Sequence, residues 1–222
     1  MGYKNVGYQS LRRLKKSGVI VFGRDVKVEA DCVVCAGAEL HSPCRLTGGT
    51  RVGSGAVVGA FSVIEGSEIG DRTRIEQSRI ARSHIGSDCT IGPFCNIREG
   101  SRIGDKCRVG DFVEIKNSRL AAGCKAAHLA YIGDADLGER VNIGCGAVFA
   151  NYDGRKKSRT SVGDRCFIGC NCNIIAPAHI GDGAYIAAGT TLGGDIEPLA
   201  LAVGRSALKT KSGGAAGRYL NE

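Results

Sequence analysis

The chain has 222 residues, 43% of them apolar, enough for a buried core in one domain or two small ones. Tryptophan is absent, aromatics reach only 5% and glycine numbers 34, so that core has to be built from aliphatic side chains. No run approaches the roughly 20 apolar residues that cross a bilayer, and the basic N-terminal stretch lacks a signal-type apolar centre, so a soluble, cytoplasmic protein is expected.

Residues 1–18 show none of the periodicity that follows. Residues 9–16, with Leu11 and Leu14 three apart and Gly18 behind them, predict a short basic helix that caps one end of the fold. Beginning at Phe22, apolar residues recur every six positions, through Val28, Val34, Leu40, Leu46, Val52, Val58 and Ile64. With a few steps shortened to five residues the ladder continues from Ile69 to Phe149, and after a longer step it runs from Val162 to Leu192. A period of six is neither that of a helix nor that of a hairpin strand. It is the mark of a parallel β-helix, in which three hexads make one triangular coil and each coil hydrogen-bonds to the next. The ladder therefore predicts an all-β solenoid of about nine coils over residues 19–205, followed by a tail at 206–222. Handedness cannot be read from the period.

Two places before the rung the residue is usually small, as alternation into a narrow prism requires. Cys32, Cys44, Cys89, Cys95, Cys107, Cys124, Cys166 and Cys172 occupy that slot, so they read as reduced core thiols rather than disulfides. The pair Cys32 and Cys35 has no second pair at zinc-like spacing. Glycines directly after rungs, such as Gly53, Gly59, Gly104 and Gly163, predict corners with unusual φ.

Residues 22–83 hold no cluster of reactive groups; such groups crowd instead into residues 111–157. Arg98 and Lys116 follow rungs eighteen residues apart, one coil, and should stand one above the other. Two cations at about 5 Å call for an anion, which makes the column a phosphate candidate; the alternative is that each is solvated or paired with a carboxylate such as Glu99. Tyr131 is expected over Glu114, and Asn151 near the top of that file. His128 faces outward and carries the side chain best matched to accept a proton near neutral pH; it is expected beside the column, and surface filler is the alternative. His41, His84 and His179 lie several rungs away, which leaves no three-histidine metal site within one subunit. After Phe149 a loop leaves the ladder, and Arg155, Lys156, Lys157 and Arg159 make it the most basic patch in a chain of net charge +8. It lacks the interleaved aromatics of a single-strand nucleic-acid platform.

The ladder resembles the left-handed β-helix acyltransferase superfamily. The segments Gly110-Asp-Phe-Val-Glu-Ile-Lys116, Lys125-Ala-Ala-His-Leu-Ala-Tyr131, Val141-Asn-Ile-Gly144 and Asn151-Tyr-Asp-Gly154 are more specific. They resemble the acetyltransferase half of the bifunctional bacterial N-acetylglucosamine-1-phosphate uridylyltransferase/glucosamine-1-phosphate acetyltransferases, a likeness that covers residues 11–205. The resemblance implies a left-handed helix and a homotrimer with sites between subunits. It further implies small-molecule substrates rather than nucleic acid or membrane, and acetyl transfer from acetyl-CoA to the 2-amino group of glucosamine 1-phosphate, with no metal. Residue by residue, it implies His128 as general base, with Arg98, Lys116, Tyr131, Asn142 and Lys157 on the sugar phosphate. Cys145, Asn151, Tyr152, Cys170, Ala188 and Arg205 would lie at acetyl-CoA, and Glu114 would orient Lys116 or His128. Cys145 stands where that family has alanine and Cys170 where it has serine. The glycine-rich uridylyltransferase segment is missing, so nucleotide transfer is not expected. Three other readings stay open: a hexapeptide acyltransferase with a different acceptor, a metal-dependent carbonic-anhydrase-like solenoid, and a non-catalytic assembly module.

Overall fold

The computed structural model describes residues 7–208 and 210, so most of the expected tail lies outside the described residues. Between them the chain winds into a left-handed parallel β-helix of about ten turns, one more than the ladder predicted. Three strand files form the faces of a triangular prism, and the ladder pairs are all parallel. The first face climbs from Ile20–Phe22 to Leu201–Ala202. The second starts at Val26–Val28 and the third at Val33–Val34; both end on the long strand Thr191–Ile196. The single helix among the described residues, Leu11–Lys16, is capped by the Ser10 side chain and buries Leu14 against the first turns, as expected of an end cap. No helix among the described residues is long and apolar enough to cross a membrane.

The prism is closed by the rungs. Leu40, Leu46, Val58, Ile64, Ile75, Ile80, Ile97, Ile115 and Ile132 have no exposed surface, and each such side chain contributes about 1.5 to 3 kcal/mol by leaving water. The eight predicted core thiols are free and buried, and burial pushes Cys44 up to about 12 and Cys95 up to about 11. Phe22 departs from the ladder. Val21 takes the inward place, while Phe22 is 48% exposed and stacks on His41 at 4.4 Å.

The glycines after the rungs serve a different purpose from the one predicted. Gly53, Gly59, Gly104 and Gly163 do not have left-handed φ; a Cβ on Gly53 or Gly163 would instead meet the Asp71 or Asp182 carboxylate at 2.4 or 2.2 Å. At Gly53 and Gly163 the missing side chain lets the next turn's aspartate reach down and accept a backbone N–H, as Asp71 does from Ser54 and Asp182 from Asp164, while Gly59 and Gly104 make room for the next turn's backbone. Left-handed backbone occurs three residues past the rung instead, at Arg72, Asp88, Lys106 and Arg140.

The third face adds a file of inward hydroxyls, Thr50, Ser67, Ser83, Ser101 and Ser118, all buried. Each donates to a backbone carbonyl at the corner before it: Ser67 to Glu65, Ser101 to Arg98 at 2.7 Å, Ser118 to Lys116 at 2.9 Å. The Glu65 and Lys116 carbonyls also accept the Arg82 and Asp134 N–H groups of the next turn, so the hydroxyl is a second donor that holds the corner in place. The same device that seals the prism thereby fixes the backbone from which Arg98 and Lys116 project.

Candidate active site

Two nine-residue strands, Arg108–Lys116 and Lys125–Gly133, run over the corner between the first and second faces without a break. Their register sets the site. Asp111 lies under His128, Glu114 under Tyr131 and Lys116 under Gly133. The corner itself is made by Phe112 and Leu129, with φ of 57° and 33°.

At that corner the His128 Nδ1 meets the Asp111 Oδ1 at 2.7 Å. The hydrogen bond to His128 holds the Asp111 carboxyl below its usual range. A carboxylate on Nδ1 selects the tautomer that donates there, which leaves Nε2 with a lone pair to accept a proton. Asp111 was visible in the sequence but carried no assigned role.

The far edge of the second face is cationic. Arg98 donates from Nη1 to the Glu114 carboxylate at 2.9 Å, and the Tyr131 ring folds down over Gly133. A Cβ on Gly133 would sit 2.6 Å from the Tyr131 hydroxyl, so this glycine is what lets the phenol reach toward the Lys116 rung. Arg98 and Lys116 occupy successive turns as expected, and Lys157 arrives from the loop beside them. The Lys157 ammonium, then partial burial and Arg98, hold Lys116 below the ordinary lysine value of 10.5. The loop is pinned at both stems. Asn151 is buried and donates its amide to Asp134, as Asn117 does from below, while Arg159 pairs with Asp136 at 2.8 Å. Burial alone would raise the buried Asp134 carboxyl, but these amides and the Lys116 and Arg159 charges outweigh it and lower it. Between the stems, Tyr152 bridges Lys157, and Asp153 accepts the Arg155 and Lys156 N–H groups at 2.8 Å in a tight turn.

Within one chain, three positions come out differently from the simplest stacking. Glu114 makes its ion pair with Arg98, and Glu99 lies 3.6 Å from Arg82. His128 does not stand beside the cationic column within one chain. Lys116 is in register with Gly133, five residues further along the strand, on the order of 15 Å away. Asn142 belongs to the first face, in register with Lys125 and Phe167, and so groups with the His128 corner rather than with the phosphate column. A shallow cavity of about 350 Å³, lined by Phe112, Glu114, Tyr131 and Val148 among others, occupies the second face between the two edges.

Above His128 the same corner continues upward. Asn171 donates to the Cys145 carbonyl and Gly189 to the Cys170 carbonyl, each at 2.8 Å, so Cys145, Cys170 and Ala188 form one exposed file. The Arg205 side chain packs over Gly189, where a Cβ would lie 3.5 Å from its Cδ. These four residues, separated by up to sixty positions in sequence, are thus brought together.

The family described as "Bacterial transferase hexapeptide (six repeats)" matches residues 82–117 and 159–194. A bifunctional protein GlmU of Staphylococcus haemolyticus is 44% identical over 86% of this chain and 41% of its own length. One from Brevibacillus brevis is 44% identical over 82% of this chain and 38% of its own. Among solved structures, a UDP-N-acetylglucosamine acyltransferase from Francisella novicida aligns with 78% of this chain and 65% of that one, at 18% identity and a TM-score of 0.43. The likeness to the acetyltransferase half of the bifunctional enzymes is borne out: the chain carries hexapeptide repeats and is similar to the GlmU proteins, spanning about two fifths of their length.

Proposed function

We propose that this chain transfers an acetyl group from acetyl-CoA to the 2-amino group of glucosamine 1-phosphate, acting as a homotrimer. The observation that carries the reading is the convergence of Arg98, Lys116 and Lys157 on one edge of a face whose other edge holds the His128–Asp111 pair. A sugar phosphate offers the dianion that three crowded cations need. An amine protonated at neutral pH cannot attack a thioester, and His128 Nε2 supplies the base that removes its proton. Asp111 stabilises the imidazolium that results. The oxyanion of the tetrahedral intermediate needs donors, and each good one is worth about 10² to 10³ in rate. Backbone N–H groups along the coenzyme file supply them.

The separation of the two edges within one chain is the reason for the trimer. The edge carrying His128 closes on a sugar phosphate only when it meets the cationic edge of a second copy. The same corner exposes Phe94, Phe112 and Leu129, each more than half exposed and with the first two stacked at 5.4 Å, a strip suited to burial against a neighbour. The coenzyme lies along Cys145, Cys170, Ala188 and Arg205, with the cytoplasm as the setting.

The test is thiol release from acetyl-CoA in the presence of glucosamine 1-phosphate, run beside glucosamine and other amino-sugar phosphates. Turnover that depends on both the amine and the phosphate is expected. Equal rates without the phosphate would remove the cationic column from the reading, and no thiol release with any amine would overturn it.

A further inference from the structure

Three of the eleven cysteines are exposed: Cys35, Cys145 and Cys170. Cys35 stands alone, since the Val52 carbonyl above accepts its N–H and Gly53 follows there. Cys145 and Cys170 do not. They sit on consecutive turns of one corner, fixed by the registers of Asn142 with Phe167 and Ile143 with Ile168. Gly144 and Gly169 bring the two turns into backbone contact there; a Cβ on Gly144 would lie 2.5 Å from the Cys170 nitrogen.

In-register turns are about 4.8 Å apart, inside the Cα separation of about 4.4 to 6.8 Å that disulfides span. The pair has no third thiol in its file: Ala188 lies above Cys170, and His128 occupies the equivalent place seventeen residues below Cys145. Thiolates, not thiols, carry this chemistry; the core cysteines are buried away from a dissolved reagent, and burial pushes Cys32 up to about 11 and Cys44 to about 12.

We propose that Cys145 and Cys170 form a dithiol modification site for low-molecular-weight disulfides. A thiolate at one cysteine attacks a sulfur of the small disulfide and releases one small thiolate. The neighbouring thiolate then attacks the protein sulfur of the mixed disulfide and expels the second. Two protein thiols are oxidised to one bridge, and the reagent is reduced to two thiols. The bridge draws together the corner directly above His128. Its effect on turnover rests on the proposed acetyl transfer, where that corner would hold the coenzyme; the site itself does not.

The experiment treats the native full chain with glutathione disulfide and maps the product by peptide mass. A Cys145–Cys170 bridge is expected, with Cys35 carrying at most a mixed disulfide. Cys145→Ala and Cys170→Ser should each abolish the bridge and leave a glutathione adduct on the remaining partner, while Cys35→Ala should form it as wild type does. Phenylarsine oxide, which caps close thiol pairs, should protect both cysteines from alkylation in the wild type and neither in the single variants. Acetyl transfer should fall about a hundredfold on oxidation and return with dithiothreitol. Stable adducts on both cysteines without a bridge, or a bridge between chains, would overturn the proposal. Absent transfer in the reduced protein would instead count against the enzymatic reading, and the peptide map would still decide the dithiol.

Discussion

The lower turns, up to about residue 90, and the turns above them share one ladder and one interior, yet their outward charges behave differently. Below, the charged side chains largely neutralise one another across adjacent turns: Arg72 with Asp88 at 2.7 Å, Arg82 with Glu65 at 2.8 Å, His84 with Glu68 at 3.1 Å. Above, Arg98 is paired with Glu114 at 2.9 Å, but Lys116 and Lys157 face each other with no carboxylate in ion-pair contact among the described residues, and the one histidine on the corner is held by Asp111. A solenoid fixes where outward side chains stack but leaves their identity free. A stack of opposite charges is scaffold, and a stack of like charges waits for a counter-ion.

The comparison breaks most sharply at His128. His128→Ala should lower kcat for acetyl transfer by about 10²- to 10⁴-fold, with the circular dichroism melt unchanged because the ring is half exposed. His84→Ala, in the charge-neutral lower turns, should leave kcat alone. Equal losses in both would mean the two regions do not differ in chemistry.

Next in size comes the cationic edge. Lys116→Ala should raise the acceptor KM by about 10- to 100-fold while changing the acetyl-CoA KM little. Because the folded-state value of Lys116 lies below 10.5, its charge is present at neutral pH and is lost as pH rises through that lowered value. The kcat/KM for the acceptor should therefore fall on an alkaline limb earlier than an ordinary lysine would give. Lys116→Arg should shift that limb upward, since a guanidinium stays charged. A limb that stays in place would take Lys116 out of phosphate binding.

Much of this contrast was legible before any fold was known, because a fixed coil length converts sequence separation into height. Eighteen residues put Arg98 under Lys116, and seventeen put Glu114 under Tyr131. The same rule, applied at seventeen residues, leads from His128 to Asp111, but only once the strands are known to cross the corner without slipping. What sequence could not supply was lateral position. His128 and Lys116 look adjacent when counted in turns, and only the run of Lys125–Gly133 across the second face sets them at opposite edges. The buried Asp134 hub was equally hidden, because Asn117 and Asp134 sit at left-handed corners that no apolar ladder marks, and Asn151 joins them from the loop stem.

The smallest expected effect separates stability from function within one structural device. Ser67 and Ser118 occupy the same inward slot, both buried, and donate to corner carbonyls at 2.7 and 2.9 Å. Ser118 also accepts the Ala135 N–H at 2.9 Å, as Ser67 accepts that of Ser83 at 3.1 Å. Replacing either by alanine strands one N–H and takes one of two donors from a carbonyl that keeps its backbone bond to the next turn, at about 1 to 2 kcal/mol, and denaturant melts of Ser67→Ala and Ser118→Ala should match within error. Only the second carbonyl belongs to Lys116. Ser118→Ala should thus raise the acceptor KM a few-fold with kcat nearly unchanged, and Ser67→Ala should raise neither. If the two variants lose acceptor affinity equally, the corner carbonyls transmit stability to the whole solenoid and do not aim the lysine.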